Sequence, residues 1–129
     1  MKYLIILTAL IVSGQTLAQK AQKEDFYAEL WCDSQGGLSE VSTIQGTRCD
    51  CLTSEYAVEV DFDQKWAEGL GQALHYGVEF DRPPAVLLII KDHDGRDRSK
   101  YKQRLQSTID GANLGVKVFY INTSDHDLR

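Results

Sequence analysis

The sequence is poor in proline and cysteine, with two and three residues among 129, and it lacks an excess of basic charge. So few prolines and cysteines argue against a collagen-like chain and a disulfide-dense miniprotein, and an apolar fraction of 43% argues against disorder. A formal net charge of −5 argues against a basic nucleic-acid-binding arm. Any surface for a polyanion would therefore have to be local. The length predicts one domain.

The chain also lacks a second hydrophobic stretch of transmembrane length after its N-terminus. The N-terminus has a basic residue at Lys2, a short apolar run from Leu4 to Val12 and a small residue at Ala18. This pattern is typical of a secretory signal peptide. We expect residues 1–18 to be removed and residues 19–129 to form the mature domain; an uncleaved anchor or a buried first helix is the alternative. The protein would then be periplasmic or secreted.

The three cysteines contain no C-x-x-C pair and so give no good zinc motif. In an oxidising compartment a disulfide can persist, and an odd count leaves one thiol free or paired between chains. We expect Cys32 to bond to Cys49 or to Cys51, and the sequence does not choose between them. A redox protein that uses Cys49 and Cys51 is a weaker interpretation.

Apolar periodicity predicts the element order α-β-β-β-α-β-α-β. This order is typical of an α/β fold in which helices flank a single mixed sheet. The predicted elements are a helix from Glu24 to Gly36–Gly37, strands at 38–43, 47–53 and 56–62, a helix from Asp63 to near Gly77, a strand at 85–90, a helix marked by Tyr101, Leu105 and Ile109, and a strand at 116–121.

Two carboxylates, Asp50 and Glu59, fall on neighbouring predicted strands that a tight turn connects. Adjacent antiparallel strands can bring such groups close enough to share one divalent cation, which prefers oxygen ligands. A cation would also remove the repulsion between them. Asp61 could be a third ligand, or it could accept a hydrogen bond at the start of the following helix.

The helix that follows these strands carries Lys65, Gln72 and Tyr76 on one predicted face. A cation, an amide and a phenol beside two carboxylates suit phosphodiester hydrolysis. A bound metal ion would activate water and neutralise charge, and Lys65 would stabilise the attacking hydroxide or the pentacovalent phosphate.

The element order, together with the stretches 47–53, 57–62 and 65–72, resembles the PD-(D/E)XK nuclease-like superfamily, and within it a small bacterial branch. The resemblance covers roughly Glu24 to Ile121. It implies a restriction-endonuclease-like core with Mg²⁺ or Mn²⁺ bound by Asp50 and Glu59 and, in addition, by the carbonyl oxygen of Val60. Gln72 and Tyr76 match the Q-x-x-x-Y element of exonuclease-type members.

The resemblance also implies one more acidic ligand, which could be Glu29 or Glu40. The chain departs from the superfamily pattern at Asp61, where a lysine is usual, and Lys65 is the candidate to replace that lysine. We therefore expect an exported metal-dependent nuclease that acts on DNA or RNA. If Lys65 cannot reach the site, the alternative is a catalytically inactive nuclease-like fold that acts as a secreted binding module.

Five basic residues recur near the predicted third helix, and they could form a local surface for phosphate or an ordinary solvated face. They are Arg96, Arg98, Lys100, Lys102 and Arg104.

Overall fold

The computed structural model describes residues 23–125, and within them the predicted element order is confirmed. The described part has three helices and one mixed five-stranded sheet. The predicted signal peptide, residues 1–18, lies outside the described residues. The elements are α1 (Glu24–Ser34), β1 (Leu38–Ser42), β2 (Arg48–Leu52), β3 (Ala57–Phe62), α2 (Trp66–Glu79), β4 (Pro84–Ile90), α3 (Ser99–Gly111) and β5 (Lys117–Asn122), with 3₁₀ turns at Asp63–Lys65 and Thr123–Asp125.

The strands lie in the order β1-β2-β3-β4-β5, so β3 is the middle strand. Short turns connect β1, β2 and β3, which pair antiparallel, whereas α2 and α3 connect the parallel pairs β3–β4 and β4–β5. A parallel pair needs such a crossover connection. In β4, residues 85–90 are all buried, as expected for a strand that helices cover on both faces.

The sheet separates two apolar layers. Val58 and Val60 of β3 pack with residues of α1, while α2 and α3 cover the other face with residues such as Leu70 and Leu105. Because side chains alternate along a strand, Glu59 and Asp61 point towards the face that α2 covers. Among residues 23–125, no helix is long and apolar enough to cross a membrane.

A disulfide joins Cys32 of α1 to Cys51 of β2, which selects one of the two predicted pairings. Their Cα atoms are 5.6 Å apart, and Cys49 is left as a buried free thiol. Gly37 packs against the bridge: a Cβ atom there would lie 2.7 Å from Cys51 Sγ and 2.9 Å from Cys32 Sγ. The disulfide thus holds the first helix on the sheet, and its presence is compatible with an extracellular location.

A buried ion pair connects the start of α2 to the loop before α3. Asp63 is fully buried and accepts hydrogen bonds from Arg98 Nε at 2.8 Å and Arg98 Nη2 at 2.6 Å. A weaker bond comes from the Lys91 backbone N–H at 3.3 Å. Arg98, one of the five basic residues near α3, is therefore bound within the fold rather than free for phosphate.

We expect Gly37→Ala to destabilise the oxidised protein by about 2 kcal/mol, because the added methyl group overlaps both disulfide sulfurs. Gly71→Ala is the matched control, since a Cβ there meets nothing within 4 Å and Gly71 lies inside α2. It should stabilise the protein by up to about 1 kcal/mol. Urea unfolding of both variants measures the difference; equal stabilities would contradict the packing seen around the disulfide.

We expect Arg98→Met to lower the free energy of unfolding by about 3 kcal/mol, because it leaves the Asp63 carboxylate buried without a counter-charge. Arg96→Met is the control: Arg96 pairs with Asp94, but its side chain is 76% exposed. That change should leave stability nearly unchanged. Thermal and urea unfolding compare the two, and a similar effect of both substitutions would contradict a structural role for Arg98.

Candidate functional site

Asp50 and Glu59 meet where the backbone pairing of β2 with β3 ends. The backbone pairing includes Cys51 with Val58. At Asp50 the acceptor is the side chain, because Asp50 Oδ2 accepts the backbone N–H of Val60 at 2.8 Å. The Asp50 carboxylate therefore lies against β3, where it shares a side-chain hydrogen bond with Glu59. The structure thus brings these two predicted ligands together.

Glu59 and Asp61 are buried although they carry carboxyl groups, with exposed fractions of 5% and 3%. Glu59 Oε2 and Asp61 Oδ2 have no hydrogen-bond partner within the described chain. A buried polar atom without a partner costs about 1–3 kcal/mol, and more when the group is charged. The middle strand therefore carries two buried carboxyl oxygen atoms that accept no hydrogen bond from residues 23–125.

The surroundings of Glu59 oppose its ionisation. Burial first, and then the charge and the hydrogen bond of Asp50, raise the pKa of Glu59 to about 10. Burial also raises the pKa of Asp50, although the Val60 N–H bond opposes that shift. The two carboxyl groups therefore share a proton at neutral pH unless a cation compensates for their charge.

Asp61 has a different set of neighbours. Its pKa is raised to about 8 by burial first and then by Glu24 at the start of α1, through both charge and a side-chain hydrogen bond. Lys65 lowers this pKa, so its ammonium group lies within electrostatic reach of Asp61. Gly69 of α2 makes room, because a Cβ there would lie 3.0 Å from Asp61 Oδ2. Asp61 therefore lies in the same row of acidic side chains as Glu59. We call Asp50, Glu59 and Asp61 the acidic strip.

The helix residues predicted to line one face do not meet at one point. Lys65 lies exposed in the turn before α2, on the side of Asp61. Gln72 donates from Nε2 to Glu68 Oε1 at 3.2 Å. Tyr76 is buried near Cys49, and its pKa is raised to about 12 by burial and then by Glu59 and Asp50. Tyr76 is thus the helix residue that interacts electrostatically with Asp50 and Glu59.

Neither candidate for the extra acidic ligand is placed with Glu59. Glu29 is exposed on α1. Glu40 has a backbone φ of 53° and forms an exposed ion pair with Arg48 at 3.7 Å. The acid that does reach Asp61 is Glu24, which the sequence marked only as the start of the predicted first helix. No sequence signal connected it to Asp61, because the contact is between distant parts of the chain.

The remaining predicted features have local partners. Lys100 and Arg104 lie over the ring of Tyr101, and Lys102 lies 4.2 Å from the centre of the Tyr120 ring. These contacts are typical of cations on a solvated helix face. Burial raises the pKa of Cys49 to about 11, which opposes formation of the thiolate that a redox reaction needs.

The carboxyl groups form two pairs, Asp50 with Glu59 and Asp61 with Glu24. Between residues 23 and 125, no three acidic, histidine or cysteine side chains are grouped so that they could hold a metal ion as they stand. Mg²⁺, however, commonly binds through one or two carboxylates and completes its shell with water and substrate phosphate. The unpartnered oxygen of Glu59 beside Asp50 fits this mode of binding.

Comparison with protein families, curated proteins and solved structures gives a plain result: no family model, curated protein or solved structure matches this chain. The chemistry must therefore be inferred from the carboxylate strip itself.

The raised pKa of Glu59 predicts that stability falls as pH rises. The unfolded chain loses this proton near 4.5 and the folded chain near 10, so between these values the unfolded state binds fewer protons. Glu59→Gln should make stability depend less on pH. At about pH 8 the free energy of unfolding of this variant should exceed that of the parent protein by at least about 1 kcal/mol.

Urea unfolding between about pH 5 and about pH 8 measures this dependence. Glu29→Gln is the control. Because the Glu29 side chain is exposed to solvent, its replacement should leave the pH dependence of the free energy of unfolding unchanged. A steeper loss of stability in Glu59→Gln than in the parent would contradict the burial of an uncompensated carboxyl group.

Proposed function

We propose that the protein is an exported, metal-dependent nuclease that hydrolyses phosphodiester bonds of DNA or RNA on a restriction-endonuclease-like core of the PD-(D/E)XK type. One observation carries the proposal: Glu59, which lies beside Asp50, and Asp61, two residues further along β3, are both buried, and one oxygen of each has no hydrogen-bond partner in the described chain. A strand that buries acids in this way is stabilised by a cation, and phosphodiester hydrolysis is a reaction that uses one.

Asp50 and Glu59 would hold Mg²⁺ or Mn²⁺, and the ion would act as a Lewis acid that activates water and neutralises phosphate charge. The chain's own groups have separate tasks. Val60 N–H fixes one oxygen of Asp50 and so holds this carboxylate beside Glu59. Lys65 would offset negative charge that develops on the phosphate.

Tyr76 interacts electrostatically with Glu59 and Asp50, and its phenol is protonated at neutral pH, as in an ordinary tyrosine. A neutral phenol can donate a hydrogen bond to a phosphate oxygen or to water beside the carboxylates. The net charge of −5 repels a nucleic acid, so binding should depend on the metal and weaken in salt.

A second candidate is a catalytically inactive fold of the same type that acts as a secreted binding module. It is favoured by Asp61, which stands where the superfamily usually has lysine and which interacts with Glu24. In that case the buried acids would keep their protons and no divalent cation would be required.

The first test is cleavage of linear DNA and RNA by the oxidised protein with Mg²⁺ or Mn²⁺, followed by gel electrophoresis. We expect cleavage that a chelator abolishes. Asp50→Asn and Glu59→Gln should each reduce the cleavage rate at least about 100-fold, because each replaces a negatively charged metal ligand with a neutral amide. Glu40→Gln is the matched control and should retain activity, since Glu40 pairs with Arg48 in solvent.

Calorimetric titration with Mn²⁺ separates the two candidates. Uptake that depends on Asp50, together with cleavage, supports the nuclease. Cleavage that persists in Asp50→Asn contradicts it, and a protein that neither takes up Mn²⁺ nor cleaves either polymer is the binding module instead.

A further inference from the structure

A pocket of about 330 Å³ lies on the face of the sheet that α1 covers, away from the acidic strip. Eight residues line it, among them Thr53 and Ser54 of the turn before β3, and the six that matter for a ligand are three aromatic and three polar residues. They are Trp31 and Gln35 from the end of α1, Glu55 and Tyr56 from the turn before β3, and Lys117 and Phe119 from β5. Its volume is at the lower end of the range of about 300–1,000 Å³ for small-molecule sites. The pocket is thus large enough for a ligand of a few heavy atoms.

The walls of this pocket are fixed before any ligand enters. Trp31 directly precedes Cys32, and the disulfide joins that residue to Cys51 at the end of β2. The turn that follows is held by Thr53, whose Oγ1 accepts the backbone N–H of Tyr56 at 2.9 Å. A preformed pocket binds with a smaller loss of conformational entropy than one that must be ordered.

The aromatic rings meet at an angle rather than as parallel plates. Phe119 lies 5.1 Å from Trp31 at an interplanar angle of 51°, and 5.7 Å from Tyr56 at 81°. These separations are those of rings in contact with one another, so the three rings form one packed aromatic corner at the wall of the pocket. The aromatic corner therefore offers apolar surface to the side chain of a small ligand.

The pocket also carries one charge of each sign. Lys117 Nζ lies 5.5 Å from the centre of the Phe119 ring, and Glu55 is exposed on the neighbouring turn. Within residues 23–125, neither Lys117 nor Glu55 belongs to an ion pair. Both charges are thus available to a ligand.

We propose that this pocket binds a small zwitterion, a free amino acid with an apolar side chain. Lys117 receives the carboxylate, Glu55 receives the ammonium group, and the corner of Trp31, Tyr56 and Phe119 takes the side chain. A neutral sugar would leave both protein charges without a counter-charge, and a polyanion would be repelled by Glu55. The inference stands apart from the proposed nuclease, because no residue of the acidic strip lines the pocket.

The test is a titration of the oxidised full chain with L-phenylalanine, monitored by calorimetry and by Trp31 fluorescence in a Trp66→Phe variant. We expect saturable binding with a Kd below about 1 mM, and binding at least about tenfold weaker for N-acetyl-L-phenylalaninamide, which lacks both charges. Calorimetry on the parent chain keeps the test valid if Trp66→Phe perturbs the fold.

Lys117→Gln and Glu55→Gln should each weaken binding of L-phenylalanine at least about tenfold while circular dichroism stays unchanged. Lys100→Gln is the matched control. Lys100 Nζ lies 5.0 Å from the centre of the Tyr101 ring, a contact like that of Lys117, but outside the pocket. Asp50→Asn should bind like the parent, which separates this site from the metal-dependent one.

Three results would overturn the inference: no saturation up to about 10 mM, equal binding of the capped amide, or affinity unchanged in both charge variants. Saturable binding of glucose in place of L-phenylalanine would also overturn it, since a neutral ligand uses neither charge.

Discussion

Two carboxyl groups are buried in the middle strand of the sheet, and the free energy of that burial constrains everything around them. At Glu59 and Asp61 the backbone of β3 pairs with β4, and α2 covers the face to which both side chains point, so both carboxyl groups stay buried. Each group must hold its proton or receive a compensating charge. The nearby Lys65, the absence of a side chain at Gly69 and the position of the Asp50 carboxylate are all arranged around that requirement.

Helix α1 connects the acidic strip with the aromatic pocket. The first turn of α1 brings Glu24 to Asp61, and its last turn contributes Trp31 to the pocket on the other side. Between them Tyr27 is buried in the core, and Cys32 anchors the helix covalently. A change in the docking of α1 would therefore alter both the acidic strip and the aromatic corner.

Periodicity predicted the order of elements and the alternation in β3, because side-chain direction follows locally from strand geometry: Val58 faces α1 and Glu59 the opposite side. The further acid, for which the sequence offered Glu29 or Glu40, was less predictable. A positive φ at Glu40 interrupts the regular alternation, and the side chain pairs with a neighbour in solvent. The contact of Glu24 with Asp61 depends on how a helix docks, which no local pattern encodes.

The disulfide has a consequence for how the chain matures. Cys49 and Cys51 lie 17 (49 − 32) and 19 residues after Cys32, so closing either loop in the unfolded chain differs by only about 0.1 kcal/mol. On a regular strand both would also face the same way, yet Cys49 packs beside Tyr76 and Cys51 beside Cys32. Random oxidation would therefore trap mispaired chains about as often as native ones. The sequence separation therefore does not select the native pair; the packing of Cys51 beside Cys32, and of Cys49 beside Tyr76, does.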